Sequence, residues 1–280
     1  MRRSFTTMAA LTAVAGLLLA GCGSDSSTDN ASTSTAAGPS SHLVGSAPTS
    51  ASGVEGTITV SAASSLTEAF TRIGEAFAAA NPGAEATFNF GASSALSAQI
   101  LDGAPADVYA SADEANMALL TDADLIAAEP EVFARNELAI VTKPDNPEGI
   151  SGLTDLADVG VVALCGEEVP CGKLAKQALD GAGVSIPESS VTRGHDAKAT
   201  LTAVAEGDAV AGIVYVTDAE AAADSVEAVA IPAAQNVFAV YPIGVIAASE
   251  SSDVAAAFMD YVLGDSGQAV LEQLGFLPPT

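Results

Sequence analysis

Four short runs of serine, glycine and alanine stand directly before helical patterns, at Ser65, Ser93, Cys171 and Ala197. A helix start leaves backbone N–H groups without intrahelical acceptors and carries about half a positive charge. If four such starts converge, they form a neutral pocket of donors suited to an anion. Serine and glycine also cap helices that bind nothing, and spacing alone does not establish convergence. Two other chemistries have thinner support. Ser93, His195 and Asp196 supply the parts of a hydrolytic triad, but adjacent His and Asp do not readily take up the mutual geometry, and no G-x-S-x-G elbow is present. Cys165 and Cys171 have no histidine pair nearby to complete a metal site. The expectation is a binding protein without catalytic residues, metal-cation ligands or cofactor.

The elements that must position these loops alternate β-branched or aromatic runs with amphipathic helical patterns, which predicts an α/β fold. Thr57–Val60 reads as a strand and Ala62–Ser65 as a tight loop, while Leu66, Ala69, Phe70, Ile73 and Phe77 mark one helical face. Ser65 and Glu68 fit an S-x-x-E capping box, which starts that helix just after Ser65. Further strands are expected at 86–90, 107–110, 138–142, 161–164 and 211–216. Helices are expected at 96–101, after Cys171-Gly172, after Asp196-Ala197, and through Val254, Phe258 and Tyr261. Phe238–Ile246 reads as one long strand interrupted at Pro242.

Ahead of this lies a different kind of sequence. Arg2 and Arg3 begin an apolar run that closes on Leu19-Ala20-Gly21-Cys22. Residues 1–21 read as a lipoprotein signal and Cys22 as the acylated first residue of the mature chain. A membrane-spanning anchor needs a longer run, about 20 residues. Residues 22–52 are Ser-, Thr-, Ala- and Gly-rich with no periodic apolar face, so they read as a disordered leash of roughly 30 Å root mean square span. The formal charge of the chain is −26, and loss of Arg2 and Arg3 makes the mature protein two units more negative. Such a surface excludes nucleic acid and anionic lipid as direct ligands. What remains, from about Val54, is long enough for one large or two modest domains.

At its loops the chain resembles the molybdate-binding proteins of ABC importers. The resemblance rests on AASSLTEAF at 62–70, NFGASSALSAQI at 89–100, GAPADVYASAD at 103–113, VPCGKLAKQAL at 169–179 and GIVYVTDA at 212–219. It implies a two-lobed periplasmic-binding-protein fold of type II, with the ligand in a cleft between lobes joined by two crossing strands. The lobes would be residues 53–137 plus 242–280, and 138–241, with the hinge at Glu137-Leu138 and Tyr241-Pro242. It further implies an oxyanion held by the hydroxyls of Ser65 and Ser93, the amides of Cys171 and Ala197, and the hydroxyl of Tyr215. Ser64 and Ser94 are the alternatives in register. The implied ligand is molybdate, with tungstate next. The implied partners are an ABC permease and, through it, an ATPase, for a monomeric protein tethered outside the cell membrane by lipid. Sulfate or phosphate as ligand and a surface adhesin remain alternatives. Outside the membrane Cys165 and Cys171 are expected to form a disulfide.

Overall fold

The computed structural model describes residues 53–280, so the leader, Cys22 and the segment to residue 52 lie outside the described residues. Nine strands are β1 (Glu55–Ala63), β2 (Gly83–Gly91), β3 (Val108–Ala110), β4 (Glu131–Thr142), β5 (Val162–Cys165), β6 (Val191–Gly194), β7 (Ala211–Tyr215), β8 (Glu227–Ala230) and β9 (Phe238–Val245). The helices are α1 (Thr67–Ala80), α2 (Ser93–Leu101), α3 (Glu114–Asp122), α4 (Pro170–Gly181), α5 (Ala197–Ala205), α6 (Val216–Ala221), α7 (Ser252–Leu263) and α8 (Asp265–Gln273).

The strands lie in the order β2-β1-β3-β9-β4-β7-β5-β6, with β8 also paired to β4. Two parallel groups, β2-β1-β3 and β7-β5-β6, flank the antiparallel pair β9 and β4. Parallel strands carry helices on both faces, so their side chains are buried throughout; Val162–Cys165 and Ala211–Tyr215 follow that pattern without an exposed residue. β4 changes partner midway. Its Glu131–Glu137 stretch pairs with Ile243–Phe238, and Leu138–Thr142 then pairs with Tyr215–Ala211. One strand therefore belongs to both halves of the sheet. The Asn236 side chain brackets the changeover, accepting the Leu138 N–H at 3.1 Å and donating to the Leu138 carbonyl at 2.8 Å.

The N-terminal half is completed by the C-terminal end of the chain. Phe70, Ile73 and Phe77 bury one face of α1. Phe70 and Phe77 each meet the edge of Phe258 on α7, at centroid separations of 5.9 and 5.4 Å. Removing a buried ring of this kind costs about 3–5 kcal/mol, so the two ends of the chain depend on each other.

Several sequence expectations are corrected. Ser64–Leu66 form a 3-10 turn and α1 begins at Thr67, so there is no capping box. The tight turn itself engages the Thr67 N–H through the Ser64 carbonyl, Glu68 pairs with Arg72, and the Ser65 hydroxyl is free for another partner. β9 is not interrupted at Pro242. The proline stands opposite Val132, where the β4 register shifts, and a residue without an N–H is tolerated at such an irregularity. Pairing of β9 with β4 runs back to Phe238, so Tyr241-Pro242 falls inside a continuous strand. The short elements α3, α6, α8, β6 and β8 had no clear periodic signal; four residues of β8, for example, are mostly exposed.

Candidate functional site

In the parallel groups, β1 runs into α1, β2 into α2, β5 into α4, β6 into α5 and β7 into α6. Ligands of open α/β sheets bind outside the carboxyl ends of such strands. Here Ser65, Ser93, Cys171, Ala197 and Tyr215 all line one small, partly open cavity. Ser64 lines it too, whereas Ser94 does not. No lysine, arginine or histidine is among the lining residues; Asp196 is the one charged group.

Local sequence decides which donors are left over. At α4, Pro170 in the first turn has no N–H to satisfy, and the N–H groups of Gly172 and Lys173 both reach the Val169 carbonyl, at 3.0 and 3.1 Å. The Cys171 N–H is the remaining donor of that start. Cys171 is also tied by a disulfide to Cys165 at the end of β5, with Cα atoms 5.8 Å apart. The loop between them is tightly packed: a Cβ on Gly172 would lie 1.9 Å from the Gly166 carbonyl oxygen. At α5, the Asp196 carboxylate accepts the Ala199 N–H at 2.8 Å, so the acid is engaged in capping while the Ala197 N–H stays free.

The serines are committed in the same sense. Ser93 Oγ accepts the Ala112 N–H at 3.0 Å, which leaves its own hydrogen to donate. Ser65 Oγ lies 3.0 Å from the Tyr241 hydroxyl. Tyr215, at the end of β7, is 2% exposed and its hydroxyl makes no hydrogen bond. Burial, followed by the nearby Tyr241, Asp218 and Asp113, raises its pKa well above that of a free tyrosine, so it stays a neutral donor. A buried hydroxyl without a partner is costly, and few native ones go unexplained.

Just outside the cavity, Lys173 on α4 reaches Asp113 at the start of α3, 3.5 Å apart and across the two halves of the sheet. Behind it, Asp218 on α6 is buried with Oδ2 unpaired, and desolvation pushes its pKa up to about 7 against the opposing pull of the Tyr215 backbone N–H and of Lys198. The hydrolytic triad does not form. The His195 side chain is 85% exposed, lies 3.6 Å from the Asp196 carboxylate, and does not line the cavity. Among the described residues no group of three or more His, Cys, Asp or Glu is placed to hold a metal cation, and no helix is long and apolar enough to cross a membrane. Sequence reasoning assigned no role to Asn136, Lys173 or Asp218 and only a hinge position to Tyr241; Lys173 and Asp218 lie inside the runs quoted above, but nothing in those runs marks a single polar residue as paired or buried.

Comparison with known proteins places this geometry in a family. Residues 58–277 match the model of the bacterial extracellular solute-binding proteins. The molybdate-binding protein ModA of Mycobacterium tuberculosis is 40% identical over 227 residues, covering 79% of this chain and 85% of that protein. Two solved structures share the fold at lower identity. The sulfate-binding protein SubI of M. tuberculosis aligns at 22% identity with a TM-score of 0.71, over 79% of this chain and 86% of its own. The periplasmic molybdate-binding protein of Azotobacter vinelandii aligns at 20% with a TM-score of 0.69, over 80% of this chain and all of its own. With strands, loops and sequence in agreement across the described residues, the chain belongs to the bacterial extracellular solute-binding proteins, in the ModA group.

Proposed function

We propose that this protein captures molybdate outside the cell and delivers it to an ABC importer, with tungstate as a second cargo. The observation that carries the reading is the unpaired, buried Tyr215 hydroxyl in a cavity whose other free groups are also donors. A fully deprotonated tetrahedral dianion is the complementary ligand. It accepts from every side and needs no cationic side chain, and at about 1.5–3 kcal/mol per charge-assisted hydrogen bond five donors are enough for tight binding. An anion bearing its own O–H finds a single side-chain carboxylate there, Asp196, whose Oδ1 is already used in capping α5, and the negative charge of that group opposes hydrogen phosphate as it does any anion. The name of the M. tuberculosis relative supports the same ligand.

Ser65 and Ser93 would hold the anion from one lobe, and Cys171, Ala197 and Tyr215 from the other. The chain would cross between lobes at Glu137-Leu138 and again between Asn236 and Phe238, where the pairing changes. Closing on the anion would then stabilise the form that docks on a permease. Acylated Cys22 and the segment to residue 52 would tether the monomer to the membrane. Sulfate is the second reading, supported by the shared fold with SubI. Titration calorimetry of the mature chain with molybdate, tungstate, sulfate and phosphate separates them. Tight binding of the first two only is expected; equal or tighter sulfate binding would replace the cargo.

A further inference from the structure

We propose that Asn136 and Tyr241 are positioning residues that set the polarity of the Ser65 hydroxyl, so that it can donate to a ligand and cannot accept from one. The inference rests on the proposed anion site and concerns a part of it that touches no ligand. Asn136 and Tyr241 are both fully buried, on β4 and β9, beside the buried hydroxyls of Ser65 and Thr217.

The direction of the relay follows from the amide. Asn136 Oδ1 accepts the N–H of Glu137 at 2.9 Å, a bond only the oxygen can make. Nδ2 is therefore turned the other way, where it donates to Thr217 Oγ1 at 2.8 Å and to the Tyr241 hydroxyl at 3.5 Å. An amide N–H cannot accept, so Tyr241 receives from Asn136; Ser65 Oγ, 3.0 Å away, is then the one acceptor within reach of the buried Tyr241 hydrogen among the described residues, and a hydrogen given to it is not left unpaired. Ser65, accepting from Tyr241, has its own hydrogen left for the cavity. Ser93 reaches the same state more simply, through the Ala112 N–H at 3.0 Å. Both serines thus present a proton to the cavity. The pair gives the site two properties at once: a donor oriented before the anion arrives, and refusal of an anion that carries a proton. Without Tyr241 the Ser65 hydroxyl could turn and accept, and the second property would weaken with the first.

The test is calorimetry with molybdate and with hydrogen phosphate on the full mature chain and four variants: Ser65→Ala, Tyr241→Phe, Asn136→Leu and the double variant Ser65→Ala/Tyr241→Phe. Tyr241→Phe keeps the ring and should weaken molybdate roughly three- to tenfold while narrowing the preference for molybdate over hydrogen phosphate. In the Ser65→Ala background the same substitution should have little further effect, because the group it acts through is gone. Asn136→Leu should reproduce the narrowed preference, so either variant that melts cooperatively serves. Equal cost of Tyr241→Phe with and without Ser65, or an unchanged preference in both variants, would overturn the relay while leaving molybdate capture intact. Failure of the unsubstituted chain to bind any oxyanion would overturn both.

Discussion

Tyr215→Phe is the sharpest test of the site because the hydroxyl has no other employment. It is buried and makes no hydrogen bond within the protein, so its removal takes no internal contact away. The ligand-free variant should be as stable as the parent or slightly more so, since an unsatisfied buried hydroxyl costs about 1–3 kcal/mol. Affinity should move the other way. A hydrogen bond to a charged acceptor contributes about 1.5–3 kcal/mol, which corresponds to a loss of roughly tenfold to a hundredfold or slightly more in affinity. Thermal unfolding without ligand and calorimetry with molybdate, on the same preparation, read the two effects separately. Unchanged affinity would remove Tyr215 from the site. Equal falls in stability and affinity would show that the hydroxyl supports the fold and that the donor-cavity reasoning is wrong.

Reduction of the Cys165–Cys171 disulfide, or its replacement by serines, should lower stability by about 2 kcal/mol on the chain-entropy estimate for a short loop. It should also weaken molybdate, because the loop it closes carries the Cys171 amide; a melting shift with unaltered affinity would separate the loop from the site. Lys173→Met should speed molybdate release roughly two- to fivefold with little change in capture rate, the scale of a partly exposed ion pair, and stopped-flow release that is insensitive to the substitution would exclude a role for the Lys173–Asp113 contact in holding the halves together. Asp218 should make the ligand-free protein lose stability as pH rises. Its folded pKa, about 7, lies above the ordinary aspartate value of 3.8, so between those pH values the folded state holds a proton that the unfolded state has released. The slope should approach 1.4 kcal/mol per pH unit and flatten above pH 7. Asp218→Asn should abolish it in urea titrations, and persistence of the slope would assign it to other groups.

The alternation of strand and helix was legible because it rests on periodicity, and the residues proposed for the site stand out because they belong to local motifs at helix starts and strand ends. Ser65 shows where local reading stops. Its S-x-x-E spacing fits a capping box, yet its hydroxyl is taken by Tyr241, 176 positions away in sequence. No local pattern announces a partner at that distance. Pro242 misled for a related reason: a proline breaks a strand unless the partner strand is irregular at the same level, and the shift at Val132 lies in another element. Asp218 reads as an ordinary polar residue of a short helix; only packing of α6 against its neighbours makes it a buried acid.

The partner change within β4 also bears on the order in which the chain can fold. The half-sheet β7-β5-β6 comes from one continuous stretch, and β4 and β8 complete it before β9 is made. The other half needs β9 between β3 and β4, and α7 against the Phe70 and Phe77 rings. During synthesis the middle of the protein can therefore close first, while the N-terminal strands wait, with an apolar face uncovered, for the last forty or so residues to emerge. Because β4 is shared, an N-terminal half left open also leaves one edge of the finished half without its neighbour. Truncation near residue 238 should thus yield an aggregating chain and not a stable half-protein.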